Sequence, residues 1–341
     1  MSASPKLIVL CNPLLDIQAT VDQDYLNKYS LKANDAILVD AKSEDAKMAI
    51  YDELASYPDV KYIAGGAGQN SARGVAYMLG KDQVAYFGSV GQDKYADKLA
   101  AENEAAGVTS LYQIIPDVGT GKCAALITGH DRSLVTDLGA ANSFTPDHLD
   151  KHWSVIEAAK LFYVSGFHLT VSKDAVIKLG KHAKETGKPF ILNLSAPFIL
   201  QFFKQQVEDV LPYTTMVVAN ESEAAAYAES FGLTCDKEDL AAVAKAIVGD
   251  SEDRTVVFTH GLEPTIVVTK NETKSYPVKP LESSKIVDTN GAGDAFAAGM
   301  LAGLTEGKPL EKSIDMGQWL AALSIQEIGA AYPKEKLQYS A

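Results

Sequence analysis

Cysteine is scarce in this chain. Three stand in 341 residues, Cys11, Cys123 and Cys235, widely separated and odd in number. None has metal-ligand spacing, so neither a disulfide framework nor a thiolate metal centre is expected, and a reducing compartment follows. Positive charge is short as well: 31 Lys and Arg face 44 Asp and Glu, for a formal net charge of -13. That balance argues against a nucleic-acid partner, which needs a basic stripe. A phosphate ligand would have to be held by local N–H groups, a metal or a few placed cations. No uninterrupted apolar run is long enough to span a membrane. The apolar stretch Leu7 to Leu10 is too short for a signal-peptide core. The expectation is a cytoplasmic protein, with the nucleus open to it, and with no membrane partner.

Two familiar phosphate-binding loops are also missing. The one Walker-like stretch, Gly119-Thr120-Gly121-Lys122-Cys123, lacks the first glycine and ends in Cys where a magnesium-binding hydroxyl belongs. The Gly291-Ala292-Gly293 turn has Phe296 where a dinucleotide fingerprint wants a third small residue. A P-loop enzyme and a typical dehydrogenase are thereby disfavoured.

What is present is an ordinary globular composition, 47% hydrophobic, with length for about two domains or one large elaborated one. Strand-like runs at Leu7 to Cys11, Val84 to Gly88, Leu161 to Val164, Phe190 to Leu194, Met216 to Ala219 and Thr255 to Thr259 alternate with helical patterns. The helical patterns include Ala72 to Leu79, Tyr95 to Ala105, Asp174 to Glu185 and Asp239 to Val248. Buried strands alternating with helices imply an α/β fold with a mostly parallel sheet covered on both faces. Ligands in such sheets bind beyond the carboxyl ends of the strands. Residues 17–64 and 119–138 break the rhythm, and the second stretch reads as a hairpin turned at Gly129-His130-Asp131. These two segments are expected to form a small lid. Residues 1–16, 65–118 and 139–341 would then form the large domain. Ordinary edge strands of the main sheet would give the same periodicity.

Four motifs carry chemistry. Asp288-Thr289-Asn290-Gly291-Ala292-Gly293-Asp294 joins a small-residue turn to an apolar helical run and leaves a carboxylate at the junction. A helix starting there would aim free N–H groups at an anion beside a base, an arrangement suited to phosphoryl transfer to a hydroxyl. Taken alone, the same spacing also describes a tight turn with an acidic first-turn residue. Gly65-Gly66-Ala67-Gly68-Gln69-Asn70 is a glycine-rich turn running into a helix, with Asn70 able to bond a sugar hydroxyl or merely close a loop. Asp16, after the first strand, could accept both hydrogens of a cis-diol or face solvent. Asn220-Glu221-Ser222-Glu223 fits a capping box, and equally an outer-sphere magnesium site.

Together these motifs resemble the ribokinase-type (PfkB) sugar and nucleoside kinase family over nearly the whole chain, and within it the eukaryotic adenosine-phosphorylating branch. Gly65 to Ala72 and Asp288 to Gly299 resemble the two family signatures, and Asn220-x-x-Glu223 the magnesium motif. Asn12-Pro13-Leu14-Leu15-Asp16, Lys28 to Lys32, Arg132-Ser133-Leu134, Gly166 to Thr170 and Asn193 to Phe198 carry the narrower likeness. The resemblance implies a ribokinase-like fold, a three-layer α/β/α domain plus an α/β lid. It implies adenosine and ATP as partners, Mg2+ as cofactor and a monomer.

It also implies roles. Asp294 would be the base, with Gly291, Ala292 and Gly293 as the anion hole. Asp16, Gly65, Gly66 and Asn70 would hold the ribose. Asn12, Leu38, Leu134, Leu138 and Phe167 would box the adenine, with Cys123 close by. Arg132, Asn193, Asn220 and Glu223 would face phosphates or, through water, magnesium. Thr259, Gly261, Asn290 and Gln318 would approach the nucleotide. His168 reads as packing, and at His260 the loop backbone rather than the imidazole is expected near the nucleotide. Ala36 stands where some relatives carry a polar residue. A kinase for free ribose or fructose, and a non-catalytic nucleoside-binding protein, remain the alternatives.

Overall fold

The computed structural model describes residues 4–33, 36–39, 45–129 and 131–340, with the backbone alone for Ala36, Asp45, Ala46, Asp131 and Arg132. Runs of β-branched and aromatic residues form the strands, in chain order β1 (Leu7–Leu10), β2 (Leu14–Thr20), β3 (Ala36–Leu38), β4 (Lys61–Gly65) and β5 (Val84–Gly91). They continue as β6 (Thr109–Ile115), β7 (Lys122–Thr128), β8 (Asp131–Asp137), β9 (Leu161–Ser165) and β10 (Phe190–Asn193). The last are β11 (Met216–Asn220), β12 (Thr255–His260), β13 (Glu263–Val268) and β14 (Thr273–Tyr276).

Among the described residues these strands make two sheets. The larger has the order β14-β13-β12-β11-β10-β9-β1-β5-β6. It is parallel except where β13 pairs antiparallel with β12 and β14. Strand β1 shows why its sequence is uninterruptedly apolar. Ile8 and Leu10 point into one core, shared with Val176, Leu179 and Val243. Leu7 and Val9 point into the other, shared with Val75, Phe296, Met300 and Leu320. A strand covered on both faces alternates between two apolar layers rather than between core and water. The result is a three-layer α/β/α body.

The smaller sheet has the order β3-β8-β7-β2-β4. Its register sorts side chains into two sets. Asp16, Cys123 and Thr136 lie side by side across β2, β7 and β8, as do their neighbours Ile17, Ala124 and Val135. The second set is buried against helices Gln23–Lys28 and Asp45–Ala55, among Leu26, Ile50 and Leu54. The first set therefore faces the opposite way, toward the large sheet. The chain crosses from one sheet to the other between Leu10 and Leu14, so two strands in near-immediate succession serve different sheets.

One helix starts earlier than its sequence pattern suggests. The glycine-rich stretch is itself the first turn of helix Ala67–Leu79, with Gly66 at its N-cap at φ +90. The glycines serve close packing inside the helix: a Cβ on Gly68 would stand 2.3 Å from Cys11 Cβ. Asn70 is consequently a helical residue with a fixed direction. The β13–β14 hairpin and β6 lie outside the expected strands.

Candidate active site

Three cavities adjoin one another at the carboxyl ends of the large sheet. The first, about 370 Å³, lies between the sheets and is lined by Asn12, Asp16, Leu38, Gly66, Asn70, Cys123, Leu134, Leu138 and Phe167, with Gly291 and Asp294 at one end. The second, about 320 Å³, shares Phe167, Ser195, Asn290, Gly291 and Asp294 with it and adds Asn193, Asn220, Glu223, Thr259 and Gly293. The third, about 310 Å³, shares Thr259, Gly293 and Phe296 with the second and adds Gly261, Thr289, Ala292, Leu281, Ile286 and Gln318. All the residues singled out from the sequence line this chain of cavities, apart from two. Gly65 sits behind Asp16, and Arg132 lies on β8 with its side chain outside the described residues.

The centre is the start of helix Ala292–Thr305. Gly291 caps it in the left-handed region at φ +78, where an L side chain is strained, and a Cβ there would meet Ala330 Cβ at 2.6 Å. Helix geometry leaves the first N–H groups without intrahelical acceptors. Ala292 N–H is taken by Thr289 O at 3.2 Å, and the first bond along the helix is Ala295 N–H to Gly291 O. That leaves Gly293 and Asp294 as the free end, and a Cβ on Gly293 would meet nothing within 4 Å. An open, positively polarised helix end next to a carboxylate is a preformed anion site with a base beside it. Asp288 braces the turn from below, its carboxylate accepting from Asn290 N, Asn290 Nδ2 and Gly329 N at 2.9 Å each.

Asp294 touches the cavity but is otherwise surrounded by protein, and burial pushes its pKa up to about 7. The Asn70 hydrogen bond and the Arg73 charge oppose that rise, while the Asp16 charge adds to it. Asn70 Nδ2 donates to Asp294 Oδ2 at 2.9 Å. That bond engages one oxygen of a carboxylate that lines the first and second cavities.

Glu223 fulfils the capping reading of its motif. Asn220 Oδ1 accepts from Glu223 N at 2.9 Å and Glu223 Oε2 from Asn220 N at 3.0 Å, which is a complete capping box. Yet Glu223 is buried and lines the second cavity, and burial raises its pKa to about 7. Its Oε2 holds the start of the helix. No cluster of three or more His, Cys, Asp and Glu among the described residues is placed to hold a metal by itself. Magnesium suits the pair because it needs few protein ligands when it arrives with phosphates and water.

The wall of the first cavity has its own fixed geometry. Asn12 Nδ2 donates to Phe167 O at 3.2 Å, and Asn12 Oδ1 lies 2.8 Å from His168 Nδ1. Since the amide nitrogen is committed to a carbonyl, the imidazole must donate at Nδ1. Burial holds the His168 pKa down to about 3, so the ring is neutral and serves packing, edge-on to Phe144. Ser195 stands at φ +68, unusual for a non-glycine residue, and its Oγ accepts from Gly166 N at 3.0 Å. Asn12 and Ser195 thus clamp the turn that presents the Phe167 ring. Asn193 is likewise occupied on both sides, donating to Tyr163 Oη at 3.0 Å and accepting from Ser195 N at 2.9 Å. Gln318 donates to Thr265 Oγ1 and Tyr276 O at 3.1 Å each, leaving its carbonyl oxygen toward the third cavity.

Gly65 has a steric role. A Cβ there would stand 2.2 Å from Asp16 Oδ1, so only glycine leaves the carboxylate its place. Sequence reasoning missed Arg73, Ser195 and Asp288 as parts of this site. The signal for Arg73 was its spacing: Asn70 and Arg73 lie three apart on one helix and so share a face.

Residues 24–337 match the profile of the pfkB family carbohydrate kinases. The chain belongs to that family. Its members among known relatives include adenosine kinase of Saccharomyces cerevisiae, 68% identical over 98% of both chains. Adenosine kinase of Schizophyllum commune is 42% identical over 98% of this chain and 99% of its own. In structure the fold is similar to Anopheles gambiae adenosine kinase in complex with P1,P4-di(adenosine-5) tetraphosphate, at TM-score 0.88 and 39% identity over 96% of this chain and 98% of that one. It is similar too to Schistosoma mansoni adenosine kinase in complex with 2-fluoroadenosine, at TM-score 0.89 and 33% identity over 97% and 98%. The family's ribokinase-like architecture accounts for the large mixed sheet and its covering helices.

Proposed function

We propose that this chain transfers the γ-phosphate of ATP to the 5'-hydroxyl of adenosine, giving AMP and ADP. The observation that carries the reading is the position of Asp294, at the junction of an apolar cavity and an open helix end. The purine would lie in the first cavity against Phe167, with Leu38, Leu134 and Leu138 around it, and Asp16 would take the ribose hydroxyls. The polyphosphate would lie in the second cavity and the ATP base in the third, beside Leu281, Ile286 and Gln318.

In that arrangement Asp294 takes the proton of the 5'-hydroxyl as its oxygen bonds the γ-phosphorus and the bond to the β-phosphate oxygen breaks. A base titrating near neutrality combines availability with driving force. The N–H groups at Gly293 and Asp294 face the charge that develops on the transferred group, and their fixed placement requires no reorganisation. Magnesium, held through water by Glu223 and Asn220, would neutralise phosphate charge. Such neutralisation matters in a chain whose net charge is -13. Residues 17–64 and 119–138 would act as the lid that excludes water, since they carry the sheet facing the cavity. No described helix is long and apolar enough to cross a membrane, and we read the protein as a cytoplasmic monomer.

The test is ADP formation from Mg-ATP with adenosine, other nucleosides, ribose and fructose. Turnover with adenosine at the highest kcat/KM is expected. Preference for a free sugar, or tight adenosine binding without ADP release, would overturn the reading.

A further inference from the structure

Arg73 is a buried cation beside Asp294 that the reaction above does not use. Its Nη2 donates to Asn70 Oδ1 at 2.8 Å and to Ala330 O at 3.4 Å. A guanidinium has no acceptor, so whatever faces it must be an oxygen. That settles a two-fold choice in Asn70. An amide can present either end to a neighbour, and the two ends differ in charge and chemistry. With Oδ1 drawn to Arg73, the Nδ2 end is the one aimed at Asp294, where it donates at 2.9 Å.

The second bond reaches the other half of the site. Ala330 is the residue against which Gly291 packs, and it lines the first cavity. The segment holding it is itself fastened to the Arg73 helix. Tyr332 Oη lies 3.5 Å from Asn70 O, Tyr332 stacks on Tyr77 at 5.2 Å, and a Cβ on Gly74 would strike Tyr332 Oη at 2.3 Å. Arg73 therefore touches the partner of the base with one bond and the backstop of the anion cradle with the other.

We propose that Arg73 is a positioning residue for phosphoryl transfer, fixing the orientation of Asn70 toward Asp294 and the seat of Gly291 through Ala330. The proposal rests on the kinase reading above. It assigns Arg73 no contact with substrate.

The electrostatic surroundings support it. Asp294 interacts with Asp16 on β2, Arg73, Cys11 after β1, Tyr163 on β9, Glu223 on helix Glu221–Phe231 and Tyr332. Of these only Arg73 is a cation, and it acts against the burial that raises the Asp294 pKa. Arg73 in turn faces Asp16, Glu102, Tyr86, Tyr112 and Tyr332. Removing it leaves the base with burial and negative neighbours and frees Asn70 to rotate its oxygen toward the carboxylate.

The experiment compares wild type, Arg73→Met and Arg73→Lys in steady-state kinetics from pH 5.5 to 9, with thermal melting and adenosine binding by calorimetry alongside. Arg73→Met is expected to lower kcat by about 10–100-fold, the scale of a misplaced catalytic group, while the adenosine KM moves by less than about 3-fold. Its acid limb in kcat/KM should move to higher pH. Arg73→Lys keeps a cation but loses the fork, so it should recover the pH limb more fully than kcat. Should Arg73→Met not fold, Arg73→Lys decides alone, and wild-type kcat in that variant overturns the proposal. A lower melting temperature with an unmoved acid limb and unchanged kcat per folded enzyme overturns it too. Absence of ADP formation by wild type with adenosine would instead strike the kinase reading.

Discussion

The two sides of Asp294 are built from different materials. The cavity between the sheets is walled by side chains, set by strand register on β2, β7 and β8 and by the clamped Phe167 turn. The cavity beside the helix end is bordered by the Gly291–Gly293 turn and by polar side chains already committed to protein partners, such as Asn193, Asn220 and Glu223, with Phe167 and Phe296 at its edges. Substitutions that change a surface should therefore register on the first side. Substitutions that move the backbone should register on the second. A nucleoside has shape and edges to read, whereas a phosphate offers only charge and oxygen, so the division follows the ligands.

Breaking the junction itself should have the largest effect. Asp294→Asn is expected to lower kcat by about 10²–10⁴-fold, the range for loss of a general base, with adenosine affinity retained. ADP release and calorimetry check the two parts, and near wild-type turnover would count against the base. Next comes the backbone side. Gly291→Ala places a Cβ against Ala330 at a left-handed φ, and should cost about 10–100-fold in kcat with little change in adenosine KM. A KM effect of equal size would blur the comparison. On the side-chain side, Gly65→Ala pushes the Asp16 carboxylate from its place. Adenosine KM should rise by about 10–100-fold, the loss of a hydrogen-bonded charged group, with ATP KM unchanged and selectivity over 2'-deoxyadenosine reduced.

The smallest effect concerns stability and uses Asp294→Asn again. The carboxyl has an ordinary pKa of 3.8 and one of about 7 in the fold, so the native state binds the extra proton. Stability then falls as pH rises between those values. Unliganded Asp294→Asn should match wild type only at or below about pH 3.8, exceed it increasingly as pH rises toward 7, and hold that margin at pH 8, as read from urea midpoints at pH 3.8 and pH 8. Equal midpoints throughout would mean that the carboxylate is not desolvated.

Much of this was legible in the sequence because local rules suffice for it. Doubly buried strands announce themselves as apolar runs, as in β1, and the Gly-x-Gly-Asp turn announces a helix start. Asn220-x-x-Glu223 was legible as a cap, which the structure shows complete, on a side chain that also lines the second cavity. Other features were hidden. Strand β4 fell inside the expected lid without being singled out, and the β13–β14 hairpin was not among the expected strands. Helix Ala67–Leu79 began five residues before its apolar pattern, because its glycines serve close packing against Cys11 and do not mark a turn. Arg73, Ser195 and Asp288 each join a near neighbour to a partner distant in sequence, and no spacing rule finds the distant one. Arg73 bonds a carbonyl 257 positions away.

The path of the chain has a consequence for when the protein can work. Asp16 comes from the second strand, whereas Ala330 comes from the segment after the last helix, yet both line one cavity. That segment is sewn down still later, by Tyr77 bonding Glu335 and Leu337 and by Tyr339 bonding Asp315. Chains fold from the N-terminus as they are made. Here the strands of both sheets precede the segment around Ala330, so the sheets can assemble before that wall of the cavity is made. A partly made chain can therefore hold both sheets while this cavity still lacks one of its walls.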